Sequence, residues 1–399
     1  MLNIKPILST LMRSKSGPVL LLLQIILSVA IVANASFIIH ERLGMMQRDS
    51  GIVESEILTF NMYNFDPSIE RVPQNKLDQQ LLRNLPNVMA ATSTNMLPLS
   101  GSGWSSTLNL GPDSETAQST PQFAMYLGTE HTLETLGLKL IDGRNFYPDE
   151  INTSLTASGK LAILSKALAD ATWPNESALG KVLYEGEDTQ ITIIGVVEKL
   201  QGAWIDSGDL EYSIIQNVDW GGRSYLVRAL PQHHAELKQA ITDVMLKENP
   251  NRVIDDFQSI KAVKESSYRD HQLMVTVLSL MVVLLLLITS LGLTGMVMFN
   301  IQRRTKQIGT RRALGATKAD ILSLFLTENY IICVVGGLLG GGLAVLLGQQ
   351  LMQHYDLPQL DLLYPIMTIF GLLLVTTVAV VLPARKAANI SPAMATRSV

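Results

Sequence analysis

Residues 303–316 read R-R-T-K-Q-I-G-T-R-R-A-L-G-A, a strongly basic stretch between two long apolar runs. The run before it, residues 273–299, contains no charged residue, and the run after it, residues 321–347, contains a single one. Short loops rich in Lys and Arg stay on the cytoplasmic side of a membrane. We therefore expect residues 301–319 to face the cytoplasm, and the other topological assignments follow from this orientation.

The composition predicts a mixed chain, part membrane-embedded and part water-exposed. The 399 residues are 47% hydrophobic and 17% charged, and their mean hydropathy is +0.24. Residues 41–270 hold 31 of the 35 acidic and 19 of the 31 basic residues. The net charge of −4 and the absence of a long basic segment argue against nucleic acid as a partner. The single cysteine, Cys333, rules out an intrachain disulfide.

The first apolar run allows two interpretations. Residues 18–39 carry no charge and, as a helix, would extend about 33 Å, enough to cross a bilayer. The small residues at 33–35 (A-N-A) also resemble a signal-peptide cleavage site. We favour a retained helix, because the run is longer than the roughly 7–15 apolar residues of a signal peptide and further spans follow.

The charge counts agree with four spans. The three segments expected inside carry three, six and three Lys or Arg residues, and the short loop expected outside carries none. The predicted fold is a membrane α-helical protein of four transmembrane helices, with a large α+β extracytoplasmic domain inserted between helices 1 and 2. The expected segments are a cytoplasmic N-terminal segment (1–17), transmembrane helix 1 (18–40), an extracytoplasmic domain (41–270), transmembrane helix 2 (271–300), a cytoplasmic loop (301–319), transmembrane helix 3 (320–348), an extracytoplasmic loop (349–363), transmembrane helix 4 (364–384) and a cytoplasmic tail (385–399).

Local patterns within the extracytoplasmic domain predict strands and helices. The β-branched run at 191–197 indicates a buried strand, and residues 161–168 indicate a strand followed by a helix. Residues 225–229 indicate another strand, and residues 234–247 a helix with Leu237, Ile241 and Val244 on one face. The Ser- and Gly-rich residues 98–120 indicate a loop or the edge of an inserted subdomain.

Three further features carry possible functions. Glu328 lies inside the third apolar run, where a carboxylate usually faces protein or water; it either contacts a partner or reaches the membrane interface. Two pairs of glycines four residues apart, Gly336 with Gly340 and Gly337 with Gly341, allow close helix approach. The helices that approach belong either to one subunit or to the two sides of a dimer seam. The pair His233–His234 has no carboxylate or Cys spaced to complete a metal site, and we expect no metal.

The basic stretch resembles the loop signature of the MacB/FtsX-like ABC transporter permease family, which usually runs R-x-x-E-I-G-x-x-R-A-L-G-A. The residues at 304, 308, 309 and 312–316 match, and Gln307 stands where Glu is usual. Residues 383–392, P-A-R-K-A-A-N-I-S-P, are similar to the family's C-terminal P-x-R-x-A-A-x-x-x-P. Residues 140–146, 179–181 and 193–197 resemble pieces of the MacB-type periplasmic core.

The resemblance implies partners and sites. It implies a cytoplasmic ABC ATPase dimer that binds ATP and Mg, a second permease copy or related permease, and possible links to a periplasmic adaptor and an outer-membrane channel. No G-x-x-x-x-G-K-[ST] motif occurs, so we expect no cofactor and no enzymatic activity in this chain. The loop would dock the ATPase, although its cations also suit topology anchors and lipid-phosphate contacts. The expected ATPase-coupling residues are Arg303, Arg304, Lys306, Gln307, Gly309, Arg311, Arg312, Gly315, Lys318 and Glu328, with a tail motif of Pro383, Arg385 and Pro392. Gly309 and Gly315 are expected to let the loop turn tightly, because glycine adopts φ > 0 without penalty.

Three functions remain open at this level. The first is a non-catalytic permease of the bacterial inner membrane with both termini cytoplasmic, which couples ATP hydrolysis to expulsion of a peptide, antibiotic, lipid or lipoprotein. The second is a mechanotransmitting regulator of a cell-wall hydrolase or sensor kinase without transport. The third is a membrane-tethered enzyme, whose catalytic constellation the sequence does not show.

Overall fold

The computed structural model describes residues 16–66, 68–113, 115–153, 159–355 and 358–389. Residues 1–15 of the expected N-terminal segment, and Pro392 with the rest of 390–399, lie outside the described residues. The chain divides into two units, one formed by Met1–Met46 with His271–Val399 and the other by Gln47–Asp270. The α-helices of the described residues are α1 (Ser16–Met46), α2 (Arg71–Arg83), α3 (Thr132–Leu136), α4 (Lys166–Thr172), α5 (His234–Glu248), α6 (Ile260–Ser267), α7 (Arg269–Arg303), α8 (Thr305–Ala313), α9 (Lys318–Tyr355) and α10 (Leu363–Ala388).

Four helices of the first unit, α1, α7, α9 and α10, are long and apolar enough to cross a membrane by length and composition. They coincide with the four expected spans. The shortest, α10, has 26 residues and is about 39 Å long, more than the roughly 30 Å of a bilayer core. Every helix runs past the expected segment limits, because a helix need not end where the apolar run ends. Helix α9, for example, continues from Lys318 to Tyr355 through half of the expected outside loop.

Helices α1, α9 and α10 pack through a shared apolar core that includes Ile25, Val29, Cys333 and Leu372. Helix α7 buries far less of its apolar surface, and Leu280, Leu284, Leu287 and Leu291 are all exposed. Its contacts to the other helices include polar ones: the hydroxyls of Ser28 and Thr289 lie 2.8 Å apart. A hydrogen bond between buried hydroxyls satisfies both groups in an apolar setting, and helps to hold α7 beside α1.

The second unit contains two sheets, as the α+β prediction required. The strands are β1 (Ile57–Asn64), β2 (Ala90–Thr94), β3 (Ser105–Ser106), β4 (Phe123–Leu127), β5 (Leu140–Gly143), β6 (Leu161–Ser165), β7 (Val182–Glu185), β8 (Thr189–Val197), β9 (Ser213–Gln216), β10 (Ser224–Arg228) and β11 (Arg252–Ser259). The first sheet is antiparallel with the order β11-β1-β10-β2, and the second is mixed with the order β3-β4-β9-β6-β8-β5, β7 pairing with β8.

Three apolar clusters hold these layers together. Helices α2 and α5 cover one face of the first sheet, where Phe60, Leu82 and Ile241 are buried together. A second cluster joins residues of both sheets, including Leu226 and Ile215. Helix α4 covers the second sheet over Leu164 and Ile193. Each sheet therefore buries the apolar side chains of at least one face in these clusters. This burial stabilises the short apolar runs as strands.

Most local predictions in this unit are confirmed. Strand β8 contains 191–197, β6 and α4 form the expected strand and helix, and β10 lies at the expected place. In α5 the buried side chains are Leu237, Ile241 and Met245, whereas Val244 is only partly buried. Residues 98–120 contain β3, and Asn109 forms bridges to Ser119 and Tyr184, so this stretch is the edge of the second sheet.

Candidate coupling site

The basic stretch forms a short helix between two turns. Helix α7 ends at Arg303, and α8 follows over Thr305–Ala313. The turn after α8 has Gly315 at φ +99°, with the Gly315 amide donating to the Arg312 carbonyl and the Ala316 amide to the Arg311 carbonyl. This pair of bonds is the Schellman arrangement, which needs a left-handed residue just past the helix. The expectation that Gly315 makes a tight turn is confirmed.

The same expectation for Gly309 is wrong. Gly309 lies inside α8 and is buried beside Ile308. Its helical neighbours on both sides continue the amphipathic pattern of the helix, and α8 turns only after its last residue. Gly309 is therefore a buried helical residue and makes no turn.

A capping box starts the next helix. Thr317 precedes α9, and its backbone amide and hydroxyl both lie within hydrogen-bond distance of an Asp320 carboxylate oxygen, at 2.8 and 2.6 Å. The Asp320 amide donates back to the Thr317 hydroxyl at 3.2 Å. Because these reciprocal bonds satisfy amides that a helix start leaves unpaired, they define where α9 begins.

An apolar cluster joins this loop to the end of α10. Ile308 of α8, Phe325 of α9, Val297 of α7, and Val380 and Ala384 of α10 are buried together. Pro383 is also buried within α10, and the helix continues past it to Ala388. The loop motif and the described part of the tail motif, although far apart in the sequence, therefore form one structural element.

An ion pair fixes the start of α8. An Arg304 guanidinium nitrogen lies 2.7 Å from a Glu328 carboxylate oxygen; the side chains are 19% and 6% exposed, respectively. The partner of Glu328 within this chain is thus Arg304, a contact that neither interpretation of Glu328 named. A carboxylate is costly at a buried position without a partner, and a guanidinium donor compensates much of that cost.

The expected coupling residues fall into two groups. Arg304 and Arg312 are used internally; Arg312 is exposed in part and donates to the Ala316 carbonyl at 3.1 Å. The second group is exposed, and among the described residues its side chains form no hydrogen bond or ion pair: Arg303, Lys306, Gln307, Arg311 and Lys318, with Arg385 and Lys386 in the last turn of α10. Gly315 is exposed at the turn that it makes. Leu314 stands among them with 84% of its surface exposed.

The second group forms a cationic surface that includes one exposed apolar side chain, Leu314. The described acids in this part of the chain are Asp320, which caps α9, and Glu328, which pairs with Arg304. Neither neutralises the exposed cations of α8. We call Arg303, Lys306, Arg311, Leu314 and Lys318 the α8 surface. Its charge suits an acidic partner groove, and Leu314 can add apolar contact.

The glycines of α9 pack against other helices of the same chain. A Cβ built at Gly336 would lie 2.7 Å from the Ile25 side chain, and one at Gly340 would lie 2.7 Å from the Ile26 carbonyl oxygen. Gly337 and Gly341 face Ile369 of α10. One glycine pair therefore packs against α1 and the other against α10, both within one chain. These contacts favour the interpretation that the glycines pack helices within one subunit.

The histidine pair has a local structural position. His233 precedes α5, and the His234 Nε2 lies 3.2 Å from the Ala229 carbonyl oxygen. Within the described ranges, no group of three or more His, Cys, Asp or Glu side chains is placed to hold a metal ion.

Part of the helical unit matches a known family model. Residues 279–392 match the model of the FtsX-like permease C-terminal domain, a stretch that contains the α8 surface and the tail motif. The chain therefore carries an FtsX-like permease domain.

Curated relatives of the chain include MacB proteins. The chain is 28% identical over 339 residues to the macrolide export ATP-binding/permease protein MacB of Shewanella sp. (strain ANA-3), over 79% of this chain and 47% of that protein. It is 24% identical over 283 residues to the MacB of Neisseria meningitidis serogroup A, over 67% of this chain and 42% of that protein. The chain spans about half the length of the curated relatives that it matches.

Two solved structures match the chain with low TM-scores. The periplasmic region of MacB from Actinobacillus actinomycetemcomitans has a TM-score of 0.36 and 17% identity, covering 56% of this chain and 97% of that one. The extracellular domain of the noncanonic ABC-type transporter YknZ from Gram-positive bacteria has a TM-score of 0.32 and 13% identity, covering 50% of this chain and 100% of that one.

Proposed function

We propose that this chain is the permease subunit of a MacB-like ABC transporter in the bacterial inner membrane, with the large domain in the periplasm and the termini in the cytoplasm. A separate ATPase dimer binds ATP and Mg, and docks on the α8 surface. A second copy of the chain, or a related permease, completes the transporter. Closure of the ATPases moves the periplasmic domain, which expels a peptide, antibiotic, lipid or lipoprotein.

The observation that carries this proposal is the construction of the α8 surface. The buried Ile308 side chain, the Arg304–Glu328 ion pair and the Schellman turn fix helix α8 in place. The cations of the α8 surface and Leu314 remain exposed. A topology anchor needs only the charges, and it needs neither a defined helix nor a buried ion pair. A docking element must transmit force, and a rigidly held helix does so because it moves together with α7, α9 and α10.

Charge reversal on the exposed face tests the proposal. Lys306→Glu with Arg311→Glu changes two exposed side chains and leaves the internal contacts of Arg304 and Arg312 intact. The purified variant should no longer co-purify with its ATPase or stimulate ATP hydrolysis in nanodiscs, while its amount and melting temperature stay those of the wild type. Removal of one charge-assisted hydrogen bond from the docked state costs about 1.5–3 kcal/mol.

A matched control is Lys238→Glu with Lys247→Glu, a double charge reversal on α5 in the other unit. This variant should bind and stimulate the ATPase as the wild type does. If the α8 double variant retains normal ATPase binding and stimulation, the α8 surface is an anchor only, and the proposed docking role is refuted. If binding and stimulation persist without movement of any substrate, the regulatory alternative gains support.

A further inference from the structure

A cleft of about 340 Å³ lies in the Gln47–Asp270 unit, between the first and second sheets. The Asn95 side chain bridges the sheets at this point, donating to the Met125 carbonyl and accepting from the Leu127 amide, both at 2.9 Å. The connection from β9 to β10 also lines the cleft. Its volume is that of a small-molecule site, and its position makes it a joint between the two sheets.

Aromatic side chains provide the apolar part of this cleft. The rings of Trp104 and Trp220 lie 5.3 Å apart between centroids with their planes at 59°. Trp104 is 42% exposed, which leaves a large indole surface unburied at the mouth of a cleft. Tyr63 also lines the cleft, below the Arg223 guanidinium at 5.7 Å from the ring centroid. Unburied indole faces in a concave site favour a flat apolar ligand group.

The polar groups of the cleft are mainly donors. The Trp220 indole nitrogen is buried and donates to no group of the described residues. Arg223 is exposed and has no described carboxylate within ion-pair distance, and Arg71, also exposed, donates one bond to the Gly221 carbonyl at 3.2 Å. The exposed guanidinium groups of Arg71 and Arg223 keep N–H donors that no described residue accepts, and an anion would supply acceptors.

The one acid that lines the cleft is already engaged. Asp219 accepts from the Gly221 amide and from the Gln79 side chain, each at 3.0 Å. Burial raises the pKa of this carboxyl, and each of its two oxygens accepts one of these bonds. The cleft therefore retains a positive character at Arg71 and Arg223.

We propose that this cleft binds an amphipathic anion, with a flat ring system against Trp104 and Trp220 and a carboxylate toward Arg223 and Arg71. The ligand would connect side chains from both sheets. The site is defined by the Gln47–Asp270 unit alone, so it goes beyond the proposed transport and needs no ATPase.

Binding of 2-naphthoate to the full chain in nanodiscs tests the proposal, with neutral 2-naphthamide as the matched probe. The chain has four tryptophans, so labelling with 5-fluorotryptophan gives four ¹⁹F resonances that Trp→Phe variants assign. Naphthoate should shift the Trp104 and Trp220 resonances and leave Trp173 and Trp204 in place. It should bind about tenfold more tightly than naphthamide, which lacks the charge.

One variant removes a charge of the cleft, and a second serves as its control. Arg223→Gln should weaken naphthoate about tenfold and leave naphthamide unchanged, because the variant removes one charge-assisted hydrogen bond. Lys247→Gln, an exposed change on α5, should alter neither affinity. The Trp173 and Trp204 resonances verify that each variant is folded, and empty nanodiscs correct for partition into lipid.

Two results would overturn the site. One is equal binding of naphthoate and naphthamide, and the other is naphthoate binding that leaves the Trp104 and Trp220 resonances unmoved. Because the ATPase takes no part in this measurement, either failure leaves the proposed function standing. Loss of ATPase docking in the α8 variant would likewise leave this cleft untouched.

Discussion

The ion pair between Arg304 and Glu328 should determine how firmly α8 is held. Arg304→Gln removes a charge-assisted hydrogen bond of 2.7 Å at a site where the carboxylate is 6% exposed. Opening of α8 separates these two groups in the wild type, so the opening free energy contains the net value of this bond. Bonds to charged groups contribute about 1.5–3 kcal/mol, and we take about 2 because Arg304 keeps some exposure. That value corresponds to roughly a 30-fold higher opening constant.

Hydrogen–deuterium exchange of the α8 amides measures this opening directly. Arg304→Gln should lower the protection of α8 about 30-fold, and Glu328→Gln should lower it less, since an amide oxygen can still accept from Arg304. In the double variant the two effects should not add, because both changes remove the same ion pair. Exposed Arg311→Gln is the control and should leave the protection of α8 unchanged.

Unchanged protection in Arg304→Gln would refute this reasoning, and so would full additivity in the double variant. Either result would mean that the apolar cluster around Ile308 holds α8 without the ion pair. The α8 surface would then need no buried charge for its rigidity.

Two further predictions concern packing and pH. Gly340→Ala should lower the melting temperature in detergent, because the new Cβ would lie 2.7 Å from the Ile26 carbonyl oxygen. The cost to the free energy of unfolding is about 1–3 kcal/mol. Gly342→Ala is the control and should leave the melting temperature unchanged, since no heavy atom lies within 4 Å of its Cβ position. Burial raises the pKa of Asp219 above its ordinary 3.8, so the folded state binds this proton more tightly than the unfolded state. This carboxyl should therefore lower stability as pH rises from 3.8 through the raised pKa, and Asp219→Asn should flatten the melting temperature over that window; an unchanged pH profile would contradict the assignment.

Local sequence signals determined the elements around the coupling site. Uncharged runs predicted the long helices, since a segment of that length and composition can bury its backbone polar groups only as a helix. The glycine at 315 predicted a turn, because a left-handed residue ends a helix most easily without a Cβ. In the other unit, short β-branched runs predicted β8 and β6 for the same kind of local reason.

Local signals failed where a residue's role depends on distant packing. Gly309 and Gly315 are the same residue type in a similar sequence context, yet one is buried inside α8 and the other turns the chain. The difference arises because Ile308 packs into a cluster with α9 and α10, which extends the helix over Gly309. A periodic pattern of only nine residues is too short to show this.

The tertiary structure alone decided which charges are available. Arg304 and Arg311 are both arginines of the basic stretch, and the local sequence does not distinguish their roles. In the structure Arg304 pairs with Glu328, 24 residues further along the chain, whereas Arg311 is exposed. The same holds for the cleft, where β1, the β2–β3 connection and the β9–β10 connection bring together Tyr63, Trp104 and Trp220. Sequence predicts the local conformation of each segment because its causes lie within a few residues. Pairing of side chains across segments depends on the whole packed chain, and only the folded structure specifies it.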